Sequence, residues 1–205
     1  MNLKNNILLF KMFLVFDTET SGLPKNYNLP AEYVDNWPRI VQLSWGIYDN
    51  NGNEIKFYDY IIKPDGFTID PDSTKIHRIT TEIALEKGRD IKEVLLKFKK
   101  SLTKVDYIAA HNYDFDINIL GAECIRNNIN LRMKMIKKEI CTMKSTTEYC
   151  KLPNPKFNGL KWPRLQELHL ILFGEDFTNA HNSKYDVIAC SKCLFECIRR
   201  KIIIL

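Results

Sequence analysis

An α/β domain with a central mixed β-sheet flanked by helices is what this 205-residue sequence predicts, and three observations predict it. Short apolar runs suited to strands recur at about 12–18, 39–48, 54–62, 107–111 and 138–142. Asn51-Gly52 separates the second run from the third, and that dipeptide favours a tight hairpin joining antiparallel neighbours. Stretches with helical spacing alternate with the later strands and follow them, at about 81–87, 91–103, 115–127, 142–150, 163–173 and 184–201. A hairpin in one half and helical crossovers in the other make the sheet mixed.

The elements carry their own local signals. In the helix expected at 91–103, Asp90 serves as cap with Glu93 at the third position, and Ile91, Val94, Leu95, Phe98 and Leu102 share one face. Pro163 suits the first turn of the helix expected at 163–173, since that position needs no backbone N–H donor. In the last helix, Cys190, Cys193 and Cys197 recur at i, i+3 and i+7 beside Val187 and Leu194, which is the spacing of a core stripe. The other cysteines, Cys124, Cys141 and Cys150, add no paired zinc-binding spacing, so reduced thiols and an intracellular, reducing compartment, cytoplasmic or nuclear, are expected.

At 45% hydrophobic residues the chain can bury a sizeable core, and no repeat or low-complexity tract divides it. One domain is expected over 12–205, with 1–11 a dispensable extension and Met12 an alternative start. Lys4 precedes an apolar run, as in a signal peptide, but Lys11 interrupts the run and no small-residue cleavage site follows. No stretch approaches the roughly 20 apolar residues that span a membrane. A net charge of +5 favours a polyanionic partner. The basic residues fall in three clusters: Lys97, Lys99, Lys100 and Lys104; Arg132, Lys134, Lys137 and Lys138; and Arg199, Arg200 and Lys201.

The chemistry starts on the first strand, Phe13-Leu14-Val15-Phe16-Asp17-Thr18-Glu19, which runs into Thr20-Ser21-Gly22-Leu23. Alternation sends Asp17 and Glu19 to one face of the strand with only Thr18 between them. Two carboxylates held so close repel each other, and a divalent cation between them relieves the repulsion; hard oxygen ligands suit Mg²⁺ or Mn²⁺. Two later segments answer this pair. Ile108-Ala109-Ala110-His111-Asn112-Tyr113-Asp114-Phe115-Asp116 is a strand that breaks at a polar turn and enters a helix, and His181-Asn182-Ser183-Lys184-Tyr185-Asp186 opens the last helix.

In that order, Asp-x-Glu, His-Asn-x-x-Phe-Asp and His-x4-Asp resemble the DEDD superfamily of 3′-to-5′ exonucleases in its DEDDh (DnaQ-like) branch. The likeness is closest to free-standing relatives of the proofreading epsilon subunit of bacterial DNA polymerase III. Ile76-His77-Arg78-Ile79-Thr80 is similar to the family's His-Gly-Ile-Thr segment, with Arg78 where glycine is usual. Ile140-Cys141-Thr142-Met143 and Lys161-Trp162-Pro163-Arg164-Leu165 resemble the segments linking the second and third motifs.

The resemblance implies a ribonuclease H-like fold and a two-metal phosphodiester hydrolysis with Mg²⁺ or Mn²⁺, two ions per site. Asp17, Glu19, Asp116 and Asp186 would be the metal ligands and His181 the general base, a task imidazole suits near neutral pH. The family spacing selects Asp116 over Asp114, which then reads as a helix cap. Thr20, Ser21 and Gly22 would approach the terminal sugar, while Leu23, His77 and Phe115 flank the last bases. The implied reaction shortens single-stranded or frayed DNA from its 3′ end and releases nucleoside 5′-monophosphates. The alternatives are an exoribonuclease trimming RNA 3′ ends and a nucleic-acid-binding relative without turnover. A polymerase or replication partner is also considered. Only about 19 residues follow Asp186, so free-standing action is expected.

Overall fold

The computed structural model describes residues 11–131, 138–178 and 180–205. Residues 1–10 of the expected extension, and Arg132, Lys134 and Lys137 of the second basic cluster, lie outside them. Among the described residues, five strands form one mixed sheet: β1 (Phe13–Thr20), β2 (Ile40–Tyr48), β3 (Glu54–Ile61), β4 (Tyr107–Ala110) and β5 (Lys138–Cys141). Their order across the sheet is β3-β2-β1-β4-β5. β1 pairs antiparallel with β2, and β2 with β3 through the Asn51-Gly52 hairpin, where Gly52 takes a φ of 83°. β1 and β4 are parallel, as are β4 and β5.

Parity along β1 splits the interior into two layers. Leu14 and Phe16 face a core shared with Trp45, Phe98, Ile108 and Leu120. It is covered by helices α3 (Ile91–Leu102) and α4 (Tyr113–Arg126). Phe13 and Val15 face the opposite core, where Leu168, Val187, Cys193 and Leu194 come from helices α7 (Leu165–Phe173) and α8 (Ser183–Arg199). Side chains two apart on a strand share a face. Asp17 and Glu19 therefore continue the α8 side, and Thr18 the α4 side.

α3 starts as expected: Asp90 accepts the Glu93 N–H at 2.9 Å, and Ile91, Val94, Leu95, Phe98 and Leu102 are buried. Cys190, Cys193 and Cys197 are free thiols buried in the second core.

Four details differ from the sequence reading. A short helix, α1 (Pro71–His77), precedes the expected α2 (Thr81–Lys87). Asp70 caps it through the Asp72 N–H at 2.7 Å, and it ends at Arg78 with a left-handed φ of 64°. The helix expected at 142–150 is two, α5 (Thr142–Ser145) and α6 (Thr147–Cys150). The Thr146 and Thr147 hydroxyls bond to the carbonyls of Thr142 and Met143, in competition with the helical N–H groups.

Pro163 lies outside α7, whose cap is Arg164. Its carbonyl is held by His111 Nε2 at 2.9 Å, which keeps this stretch extended. Asp114 is not the cap of α4. Asn112 holds that position with a φ of 76°, and the Asp114 carboxylate pairs with Lys144.

Candidate active site

β1 ends in the acidic cluster, and hydrogen bonds to its neighbours bring in the rest. Ser44 on β2 sits opposite Asp17 in register. Its hydroxyl donates to Asp59 Oδ1 (2.8 Å), so Ser183 must donate to Ser44 Oγ across 2.6 Å. That chain pins the N-terminus of α8 to the sheet. One turn into α8, Asp186 then reaches β1, and the carboxylate oxygens of Asp17, Glu19 and Asp186 lie within 4.8 Å of one another.

Asp116 approaches from the α4 side and stands outside that trio. It is 3% exposed, and its Oδ1 accepts both the Thr18 hydroxyl (2.7 Å) and the Thr18 N–H (3.1 Å). Thr18, which the sequence offered only as a spacer, is thus the orienting partner of Asp116. Strand alternation was the signal: Thr18 must face the helix that carries Asp116.

Electrostatics mark these four carboxyls. Burial, then repulsion from Asp116, Asp186 and Glu19, raises Asp17 well above the ordinary range. Burial and the Asp186 and Asp116 charges push Glu19 up to about 8. Burial lifts Asp116 to about 7 against the two Thr18 hydrogen bonds, and lifts Asp186 to about 6. Such a set lacks a cation among its own side chains, and a hard divalent ion is what its oxygens suit.

His181 precedes α8 in a left-handed conformation (φ 66°), and its N–H donates to Asp186 Oδ2 at 3.0 Å. It is exposed and stands on the rim of two cavities. One, of about 510 Å³, includes Asp17, Asp186, His111 and Trp162; the other, of about 590 Å³, includes His77, Arg78 and Tyr185. Arg78, Asn112 and His181 all take positive φ without being glycine and all line these cavities, a concentration of backbone strain typical of functional sites.

The segment after Glu19 is held firmly. Thr20 Oγ1 donates to the Gly22 carbonyl (2.7 Å), and Ser21 exchanges bonds with Arg39: Ser21 N–H to Arg39 O (2.9 Å) and Arg39 N–H to Ser21 Oγ (3.0 Å). A Cβ on Gly22 would meet nothing within 4 Å, so packing does not demand glycine there. Leu23 is 73% exposed. Phe115 is half-buried, stacked on Tyr27 and edge-on to Trp37. His77 is buried; its Nδ1 accepts the Ile79 N–H at 3.1 Å, and burial lowers its pKa.

His111, quoted in the sequence only as part of a motif, is a neutral bracket. Burial pushes it down to about 4. With Nε2–H donated to the Pro163 carbonyl, Nδ1 is left to accept from Thr142 Oγ1 at 2.9 Å. Of the basic clusters, Arg199 and Arg200 are engaged by Glu196, and Lys97 by Glu93.

Comparison with known proteins agrees with this architecture. The exonuclease family model RNase_T matches residues 14–194. The chain is 29% identical over 179 residues to the PolC-type DNA polymerase III of Mycoplasmopsis pulmonis, covering 87% of this chain and 11% of that protein. It is 30% identical over 151 residues to the DNA polymerase III subunit epsilon of Haemophilus influenzae, covering 72% of this chain and 53% of that one. The chain thus spans from about a tenth to about half the length of these relatives.

Among solved structures, the zinc-bound complex of E. coli exonuclease I with single-stranded DNA superposes with a TM-score of 0.73 at 23% identity, over 93% of this chain and 41% of that one. Exonuclease I of Methylocaldum szegediense superposes at 0.71 and 20% identity, over 93% and 41%. These likenesses concern the fold, which is ribonuclease H-like. No helix among the described residues is long and apolar enough to cross a membrane.

Proposed function

We propose that this chain, which belongs to the RNase_T exonuclease family, hydrolyses single-stranded or frayed DNA from the 3′ end and releases nucleoside 5′-monophosphates. The observation that carries this reading is the convergence of Asp17, Glu19 and Asp186 within 4.8 Å, beside the buried Asp116 and at a cavity that His181 also lines. The raised pKa values and the all-oxygen donor set fit Mg²⁺ or Mn²⁺. Asp17, Glu19, Asp186 and Asp116 would hold this cofactor, as two ions per site. Bound there, they would supply neutralisation of the charge that builds on the phosphate and on the departing 3′ oxygen.

The chain's own groups do the rest. His181, which lines the same cavity as Asp17 and Asp186 and whose backbone N–H bonds Asp186, takes the proton from the attacking water. Thr18 orients Asp116. Gly22, where a side chain would be tolerated by the fold, leaves room for the terminal sugar against a backbone pinned by Ser21 and Arg39. Leu23, Phe115 and His77, the last lining the larger cavity, flank the last bases.

Matched DNA and RNA oligonucleotides labelled at the 3′ or 5′ end, incubated with Mg²⁺, Mn²⁺ or chelator, test the reading. Loss of 3′ label first, release of mononucleotides, inhibition by a 3′-phosphate and silence in chelator or in Asp17→Asn are expected. Cleavage of a circular single strand, or activity that survives in both chelator and Asp17→Asn, would overturn it. The RNA arm decides between the DNA and RNA substrates.

A further inference from the structure

The chain has three tryptophans. Trp37 and Trp45 are 4% and 0% exposed, whereas Trp162 is 59% exposed. A lone exposed aromatic is ordinary on a protein surface. This one is not placed as ordinary surface: it lines the cavity that also holds Asp17, Asp186 and His181.

The segment around Trp162 is built to present it. Residues 162–165 alternate strictly, Trp162 and Arg164 exposed, Pro163 and Leu165 buried. Pro163 fixes the backbone and offers its carbonyl to the half-buried His111, while Leu165 anchors in the α7–α8 core. The two exposed side chains face the same cavity. Lys144 Nζ lies 5.9 Å from the Trp162 ring centroid and is paired with Asp114. The Arg164 side chain is 76% exposed and has one contact of 3.3 Å to Glu167 Oε1, so most of its five donors face solvent. An exposed aromatic ring and an open guanidinium lining one cavity have the chemistry of a site for one base and its phosphate in a single strand.

None of the residues assigned to the terminal nucleotide, Thr20 to Leu23, His77 and Phe115, lines this cavity. We propose that Trp162 and Arg164 form a second substrate subsite. Trp162 stacks a base upstream of the terminal nucleotide, and Arg164 contacts the adjoining phosphate. This rests on the exonuclease reading for its substrate, but its test separates the two.

An abasic residue is moved along the last few positions of a thymidine oligodeoxynucleotide and the effect on kcat/KM is measured. In the wild type, one position upstream of the 3′ terminus should cost about 5- to 150-fold, the span of single-base stacking on an aromatic residue. In Trp162→Ala that positional cost should disappear while intact substrate falls by a similar factor; Trp162→Phe should restore most of it. Arg164→Gln should reduce the dependence of log affinity on log salt by about 0.7.

Binding is read independently in chelator. Trp162 is the exposed fluorophore, so oligonucleotide should quench emission in the wild type and do so far less in Trp162→Phe. Quenching in chelator with no hydrolysis once Mg²⁺ or Mn²⁺ is supplied would sink the exonuclease reading and keep the subsite. Hydrolysis with no quenching, or an abasic cost that is the same in wild type and Trp162→Ala, overturns the subsite and leaves the exonuclease reading standing.

Discussion

Replacing Asp186 with asparagine should stabilise the metal-free protein, by an amount that grows with pH. Burial raises the Asp186 carboxyl from 3.8 to about 6 in the folded chain. A raised carboxyl means the native state holds its proton more tightly than the unfolded one. Below pH 3.8 both states are protonated and no penalty exists. Between pH 3.8 and about 6 the unfolded carboxyl ionises while the buried native one keeps its proton, so stability is lost across that window and the full penalty is carried above about 6. The shift corresponds to about 3 kcal/mol at pH 8. Asparagine keeps the shape and an acceptor for the His181 N–H but carries no charge. At about 2–4 °C per kcal/mol for a chain of this size, and with a weaker hydrogen bond to the amide, the variant should melt about 5 °C higher at pH 8 in chelator.

Comparing the two proteins cancels groups that act in the opposite direction, such as Glu196, which its arginine neighbours hold at about 2. Added Mg²⁺ or Mn²⁺ should reverse the order, because a ligand at about 100 times its Kd stabilises the wild type by about 2.7 kcal/mol. The assay is thermal unfolding from pH 4 to 8, with and without cation. A gap that is missing at pH 8, or that narrows as pH rises, would refute the account of a repulsive cluster awaiting a cation.

Three further outcomes follow from individual contacts. His181→Ala should lower kcat by about 10²- to 10⁴-fold with little change in melting, and higher pH should return part of the rate as hydroxide replaces the base; a loss of stability with normal turnover per folded molecule would remove the base role. Thr18→Val deletes the 2.7 Å hydroxyl bond to Asp116 while keeping the shape. It should cost about 10- to 100-fold in activity or cation affinity, read from kcat against cation concentration. Arg78→Gly should raise stability by about 1 kcal/mol because Arg78 holds a φ of 64° that glycine adopts freely; the check is a denaturant midpoint that rises at constant slope.

What could be read in the one-dimensional chain was whatever is decided within a few residues. Alternation on β1 put Asp17 and Glu19 on one face, the i, i+3, i+7 cysteines declared a buried stripe, and Asp90 with Glu93 marked the start of α3. The same local rules failed where a distant group intervened. Pro163 looked like a helix start, but His111, 52 residues earlier, holds its carbonyl outside the helix. Asp114 looked like a cap, but the left-handed Asn112 took that position and Lys144 took the carboxylate.

Composition and motif order by themselves determined the α/β class and the candidate acidic and imidazole groups, because side-chain periodicity and ligand chemistry are properties of the chain. Only the tertiary structure decided how those groups meet. It set Asp186 against Asp17 through Ser183 and Ser44, turned Asp116 onto Thr18, and stood Trp162 at the mouth of the same cavity. Each of those contacts joins residues about 100 or more positions apart, or depends on which of two exposed faces a cavity opens to, and no local energy in the sequence encodes either.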